Sequence, residues 1–133
     1  MELNIRRLQP EDLEIINEWW EAWPDWVNPG IGFLPETGVV VTAGNKPIFA
    51  AFIYFTNAQV ALFEWIISDP NYREDNRQEA VELLIQGAEH VIKSQGYKFI
   101  FTVSKHKKLM NTMENLGFHV DREPSYELLK LIE

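Results

Sequence analysis

The stretch from Val60 to Gly117 constrains this chain most, because it reads as two parallel strands joined by a helix. Val60 to Ile67 is an apolar strand interrupted by one carboxylate, Glu64. Ser68 to Asn76 is a polar turn, and apolar residues at helical spacing then predict a long amphipathic helix from about Arg77 to Gln95. Val81, Leu84, Ile85, Ala88, Val91 and Ile92 share its inner face, with Glu79, Glu82, Gln86, Glu89 and Lys93 opposite. After Gly96, residues Lys98 to Val103 form a second buried strand, and Lys107 to Leu116 a short helix closed by Gly117. Parallel strands need such a crossover, and ligands of open sheets bind at the C-terminal strand ends, here the turn at Ser68 to Asn76.

The remainder fits around that unit. Asn4 to Leu8 reads as a strand, and Pro10, Glu11 and Asp12 open a helix whose acids suit its positive end. Leu13, Ile16, Trp20 and Trp23 fall on one face of it, Ile15, Trp19 and Ala22 on a second strip, and Pro24 ends it. Residues Pro24 to Thr37 form a loop punctuated by proline and glycine yet rich in apolar side chains, so it must pack on something. Gly38 to Ala43, Ile48 to Thr56 and the strand at Val60 are joined by short turns, an antiparallel meander. Two further strands are predicted at Phe118 to Val120 and Ser125 to Ile132; the last is an exposed edge or the seam of a homodimer.

At 133 residues the chain predicts one domain, 1–133, and 46% hydrophobic residues suffice for a core. Cysteine is absent, which removes disulfides, cysteine nucleophiles and thiolate metal sites and suits a reducing, cytoplasmic setting. A net charge of −8 disfavours nucleic acid and anionic membranes as partners, and the apolar runs are too short to span a bilayer. His90, His106 and His119 lack metal-ligand spacing, so no metal site is expected.

The element order is strand, helix, three-strand meander, helix, strand, helix, two strands, and it resembles the GNAT acyltransferase superfamily. Ile67-Ser68-Asp69-Pro70-Asn71-Tyr72-Arg73 looks like the family's strand end and turn, Gly96-Tyr97-Lys98 like its helix end, and Leu116-Gly117-Phe118 like its C-terminal Leu-Gly-Phe. The resemblance covers the whole chain and implies an α+β fold with a mixed, mostly antiparallel sheet of six to seven strands flanked by about three helices. It also implies an N-acetyltransferase that uses acetyl-coenzyme A on a small-molecule or peptide amine.

The resemblance implies that the backbone at Ile66, Ile67 and Ser68 holds the pantetheine, and that Tyr72, Arg73, Asn76, Arg77 and Gln78 hold the pyrophosphate at the helix N-terminus. The chain departs from the family at the glycine positions, which are Asn76 and Gln78, and Glu74 and Asp75 add negative charge. Asp75 or Asn76 with Gln78 or Glu79 also allows a capping box that would close the site. The family's Asn position falls on His106, and its tyrosine acid on Met113, which cannot donate a proton; Tyr72, Tyr97 and Tyr126 are the remaining tyrosines nearby in sequence. Glu64, facing with Leu62 and Ile66, is the candidate base, since a buried carboxylate gains the basicity to deprotonate an ammonium.

Trp19, Trp20, Trp23 and Trp26 are mostly expected in the core, with Trp19 and Trp26 the ones that could line an acceptor pocket. Lys105 to Lys108 is a basic run that solvent or the cofactor's 3′-phosphate could meet. The alternative reading is a catalytically inactive binding or structural module of the same fold, of a phage type.

Overall fold

The computed structural model describes residues 2–24, 28–30 and 32–132. They form two compact units, one running to Val103 and one from Ser104. The first contains β1 (Leu3–Arg7), α1 (Asp12–Ala22), β2 (Gly38–Ala43), β3 (Lys46–Phe55), β4 (Val60–Ser68), α2 (Arg77–Ser94) and β5 (Phe99–Phe101). The strands make one sheet in the order β1-β2-β3-β4-β5. Neighbours are antiparallel except β4 and β5, which run parallel as the crossover requires. The second unit holds α3 (Lys107–Asn115).

Alternation along the strands sends opposite sets of side chains to the two helices. Val40, Ala50, Phe52 and Ile67 pack with Ile16, Trp19 and Trp20 of α1, and Trp20 stacks on Phe52 at 6.2 Å between ring centroids. α2 covers the other face, packing on β1, β2 and β3. It comes so close to β1 that a Cβ on Gly87 would lie 2.3 Å from Cδ1 of Ile5. β2 is therefore buried along its whole length, as its unbroken apolar run requires.

The acids foreseen at the start of α1 have one specific use. Asp12 is buried and takes a fork of two 2.8 Å hydrogen bonds from the Arg6 guanidinium, and the N–H of Gln9 donates to it at 2.8 Å. The Arg6 hydrogen bonds hold the Asp12 carboxyl below the usual carboxylate range, outweighing the opposite effect of burial. A lowered folded-state pKa stabilises the fold above the unfolded value and is lost as pH falls through the folded one. Asp12→Asn is accordingly expected to cost about 1–2 kcal/mol at neutral pH, Arg6 being partly solvated. The gap from the parent protein should narrow below about pH 4; urea unfolding at both pH values checks it.

Two expectations are corrected. The sheet has five strands among the described residues rather than six or seven, because 118–120 and 125–132 are not in strands. Their alternation specified two faces but no partner for the ladder. The fifth strand spans three residues rather than Lys98 to Val103, because its ladder with β4 ends at Leu62 opposite Phe101.

Candidate functional site

The bulge lies in β4. Phe52 pairs with Glu64 and Ala50 with Ile67, so three steps on β4 oppose two on β3. Trp65 absorbs the extra residue at φ 59°, a left-handed conformation that a bulky side chain rarely adopts. The β4–β5 ladder covers only Val60 to Leu62 against Phe99 to Phe101. Past it, the N–H of Val103 donates to Oε1 of Glu64 at 3.2 Å, so the carboxylate bridges the strands where they part. Glu64 shares the α1 face with its partner Phe52. The bulge breaks the alternation expected from sequence: Ile67, not Ile66, lies on that face with Glu64.

Beside Glu64 stands an aromatic group. The Trp65 indole N–H donates to the Tyr54 hydroxyl at 2.6 Å, that hydroxyl donates to the carbonyl of Phe33, and the Phe33 ring meets Trp65 edge-on. Burial pushes the Tyr54 phenol up and the Glu64 charge adds to this, while the Trp65 hydrogen bond opposes it. Tyr54 is therefore a neutral donor at neutral pH, within the field of the carboxylate.

The turn after β4 gathers the predicted anion-binding residues. Asp69 is buried, ion-paired to Lys46 at 3.6 Å, and accepts the N–H of Asn71 at 2.9 Å, which fixes the turn. Arg77 points inward: it donates to the Tyr72 carbonyl at 2.8 Å and to Oγ of Ser68 at 3.0 Å, with its guanidinium 5.0 Å from the Phe49 ring centroid. Burial and then the charge of Arg73 push the Arg77 guanidinium down, against the pull of Asp69. Arg73 lies over the Trp23 ring at 5.6 Å. A cleft of about 570 Å³ opens beside the turn, lined by Lys46, Ile48, Asn71, Tyr72, Glu74 and Asn76 among others.

Thus Ile66, Ile67, Ser68, Tyr72, Arg73, Asn76, Arg77 and Gln78 are gathered at the end of β4 and the start of α2. The capping box is corrected: Asn76 is the N-cap but makes no side-chain cap hydrogen bond, because its Oδ1 accepts the Tyr72 hydroxyl instead. Gln78 reaches along the helix to Glu82. Of the tyrosines considered as acids, Tyr97 is bound to the Thr56 carbonyl at the opposite end of β4, and Tyr126 belongs to the second unit. His106 is the N-cap of α3 in that unit, and Met113 is buried there. Trp19 is core at 4% exposure, and Trp26 lies outside the described residues.

Sequence reasoning missed Tyr54 and Trp65, and it read Trp23 as apolar surface without its hydrogen bond. Trp23 donates its indole N–H to the Ser68 carbonyl at 2.7 Å, tying the end of α1 to the end of β4. The signal available was its place after the helix, one residue before Pro24. Among the described residues no cluster of three His, Asp or Glu could hold a metal ion, and no helix is long and apolar enough to cross a membrane.

No protein-family model matches the sequence, and no curated protein matches it. Solved structures do match. A GNAT family acetyltransferase from Streptococcus pneumoniae superposes with a TM-score of 0.68 at 13% identity, covering 98% of this chain and 100% of the other. An aminoglycoside acetyltransferase from an uncultured soil metagenomic sample, in complex with sisomicin, gives 0.68 at 14% identity over 98% and 97%. The ribosomal-protein-S18-alanine N-acetyltransferase of Escherichia coli gives 0.63 at 21% identity over 89% and 78%. With identities this low the likeness is one of architecture, and on it the chain has the fold of the GNAT acetyltransferases.

Proposed function

We propose that the protein is an acetyl-coenzyme A-dependent N-acetyltransferase acting on a small-molecule or peptide amine. The observation that carries this reading is the pair Arg73, in the turn after β4, and Arg77, the first residue of α2, whose guanidinium bonds Ser68 at the end of the strand that carries Glu64. Two guanidiniums whose charges oppose one another are a site for an anion, and the helix N-terminus adds to it. These residues fit a pyrophosphate differently from a glycine loop: side-chain cations take the place of closely approached backbone amides. Arg73, Arg77 and Tyr72 would hold the pyrophosphate, and the backbone at Ile66 to Ser68 the pantetheine. Bound there, acetyl-coenzyme A supplies an activated acyl group. Glu64 would take the proton of the incoming ammonium, directly or through water. A surface of net charge −8 favours a cationic acceptor, and one of the matching structures holds an aminoglycoside. The cytoplasm is the proposed location.

The second reading, an inactive binding or structural module, is favoured by the bonds Arg77 already makes to Tyr72 and Ser68. Calorimetric titration with acetyl-coenzyme A separates the two. Under the enzyme reading, binding is micromolar, weakens with salt, and falls at least tenfold in Arg73→Glu, an exposed position whose reversal leaves the core intact. No binding at millimolar ligand overturns the enzyme reading.

A further inference from the structure

We propose that Phe33, Tyr54 and Trp65 form the wall that receives the acceptor, and that the acceptor is an arylalkylamine, a primary ammonium on a flat aromatic body. This rests on the reading of Glu64 as the group that takes the ammonium proton. The bulge brings the parts together. Successive side chains of a strand point to opposite faces, yet Glu64 and Trp65 share one. Glu64 pairs with Phe52, and Trp65 packs against the cluster that contains Phe52 and Trp20. The Trp65 indole also bonds Tyr54, two residues beyond Phe52 and so on the same face. The left-handed backbone of Trp65, at φ 59°, thus re-aims an indole to the side of a carboxylate. Backbone outliers of this kind gather where ligands are clamped.

The third ring is seated from the loop before β2. Leu34 packs against the α1 cluster, and the N–H of Phe33 donates to the Gly30 carbonyl at 3.4 Å. The Phe33 ring is held edge-on to Trp65, 6.4 Å between centroids, and is 40% exposed. Hydrogen bonding within the wall then selects the ligand. The indole N–H gives its one proton to Tyr54, and the Tyr54 hydroxyl gives its own to the Phe33 carbonyl. The three rings therefore keep no donor for a hydroxylated acceptor, whose oxygens would lose water without replacement. They offer π faces and ring edges, which suit an aromatic body, beside a carboxylate that suits an ammonium.

Calorimetric titration of the full chain with 2-phenylethylamine and with glucosamine, with and without saturating coenzyme A, tests this apart from turnover. Both are primary amines on a six-membered ring, one aromatic and one hydroxylated. The aromatic amine should bind at least about tenfold more tightly. Phe33→Ala lies at an exposed loop position, and Trp65→Gly keeps the fold because glycine takes φ 59° without strain. Each should weaken the aromatic amine about tenfold and leave glucosamine unchanged, with thermal unfolding as the check on folding. Equal affinity for the two amines, or full affinity for the aromatic one in folded Phe33→Ala and Trp65→Gly, would overturn the wall, even with acetyl transfer to another amine observed. Binding that depends on both rings, without acetyl transfer from acetyl-coenzyme A, would support the wall as an amine site and overturn the enzyme reading instead.

Discussion

Glu64→Gln is expected to lower kcat by about 10²–10⁴-fold, the usual weight of a positioned general base, while the affinity for coenzyme A stays within about twofold. The substitution is nearly isosteric, and the amide oxygen can still accept the N–H of Val103 that ties β4 to β5 past the end of their ladder. The geometry of the parted strands is therefore kept, and stability should change by less than about 1 kcal/mol. What disappears is a group able to carry away a proton. If Glu64 serves only to brace the strands, Glu64→Gln will match the parent in rate, and Glu64→Ala will lose stability as well. Steady-state kinetics with an amine acceptor, beside coenzyme A titration of the same preparations, distinguishes these outcomes.

The architecture was legible because it is written in periodicity. The meander, the long helix and the crossover each follow from runs whose spacing permits one element, and their order carried the resemblance. The bulge was not legible: nothing in Leu62 to Ile67 announces that Trp65 turns left-handed, and so the face of Glu64 was paired with Ile66 instead of Ile67. Positive φ is a tertiary outcome at a tryptophan, where at a glycine it would have been a local signal. The capping box failed for a related reason. Asn76 had the right spacing, but the Tyr72 hydroxyl competes for its oxygen, and a spacing rule does not know its neighbours. Trp23, read as part of an apolar stripe, uses its one polar atom on the Ser68 carbonyl. The C-terminal strands show the same limit: Ser125 to Ile132 has the composition of a strand, and a strand is made by its partner.

Arg77→Met is expected to reduce affinity for acetyl-coenzyme A about 100-fold, roughly 2.7 kcal/mol, with little loss of stability. Burial is the largest influence disfavouring the Arg77 charge, Arg73 the second, and Asp69 only partly compensates. The charge thus works against the fold, and its two neutral acceptors, the Tyr72 carbonyl and Ser68 Oγ, return about 1.5–3 kcal/mol each at most. Methionine keeps an unbranched apolar stem against the Phe49 ring while removing the buried charge, so gain and loss should nearly cancel. A ligand phosphate, by contrast, loses a charge-assisted partner that nothing else replaces. Residual binding by Arg77→Met should also depend less steeply on salt, because one cation fewer faces the ligand. Thermal unfolding and calorimetry on the same variant decide the matter. A large fall in Tm with unchanged affinity would make Arg77 a brace for the turn and leave Arg73 as the one arginine of the pair facing the ligand. A fall in affinity with Tm preserved would mark a cation kept in the fold for what it binds.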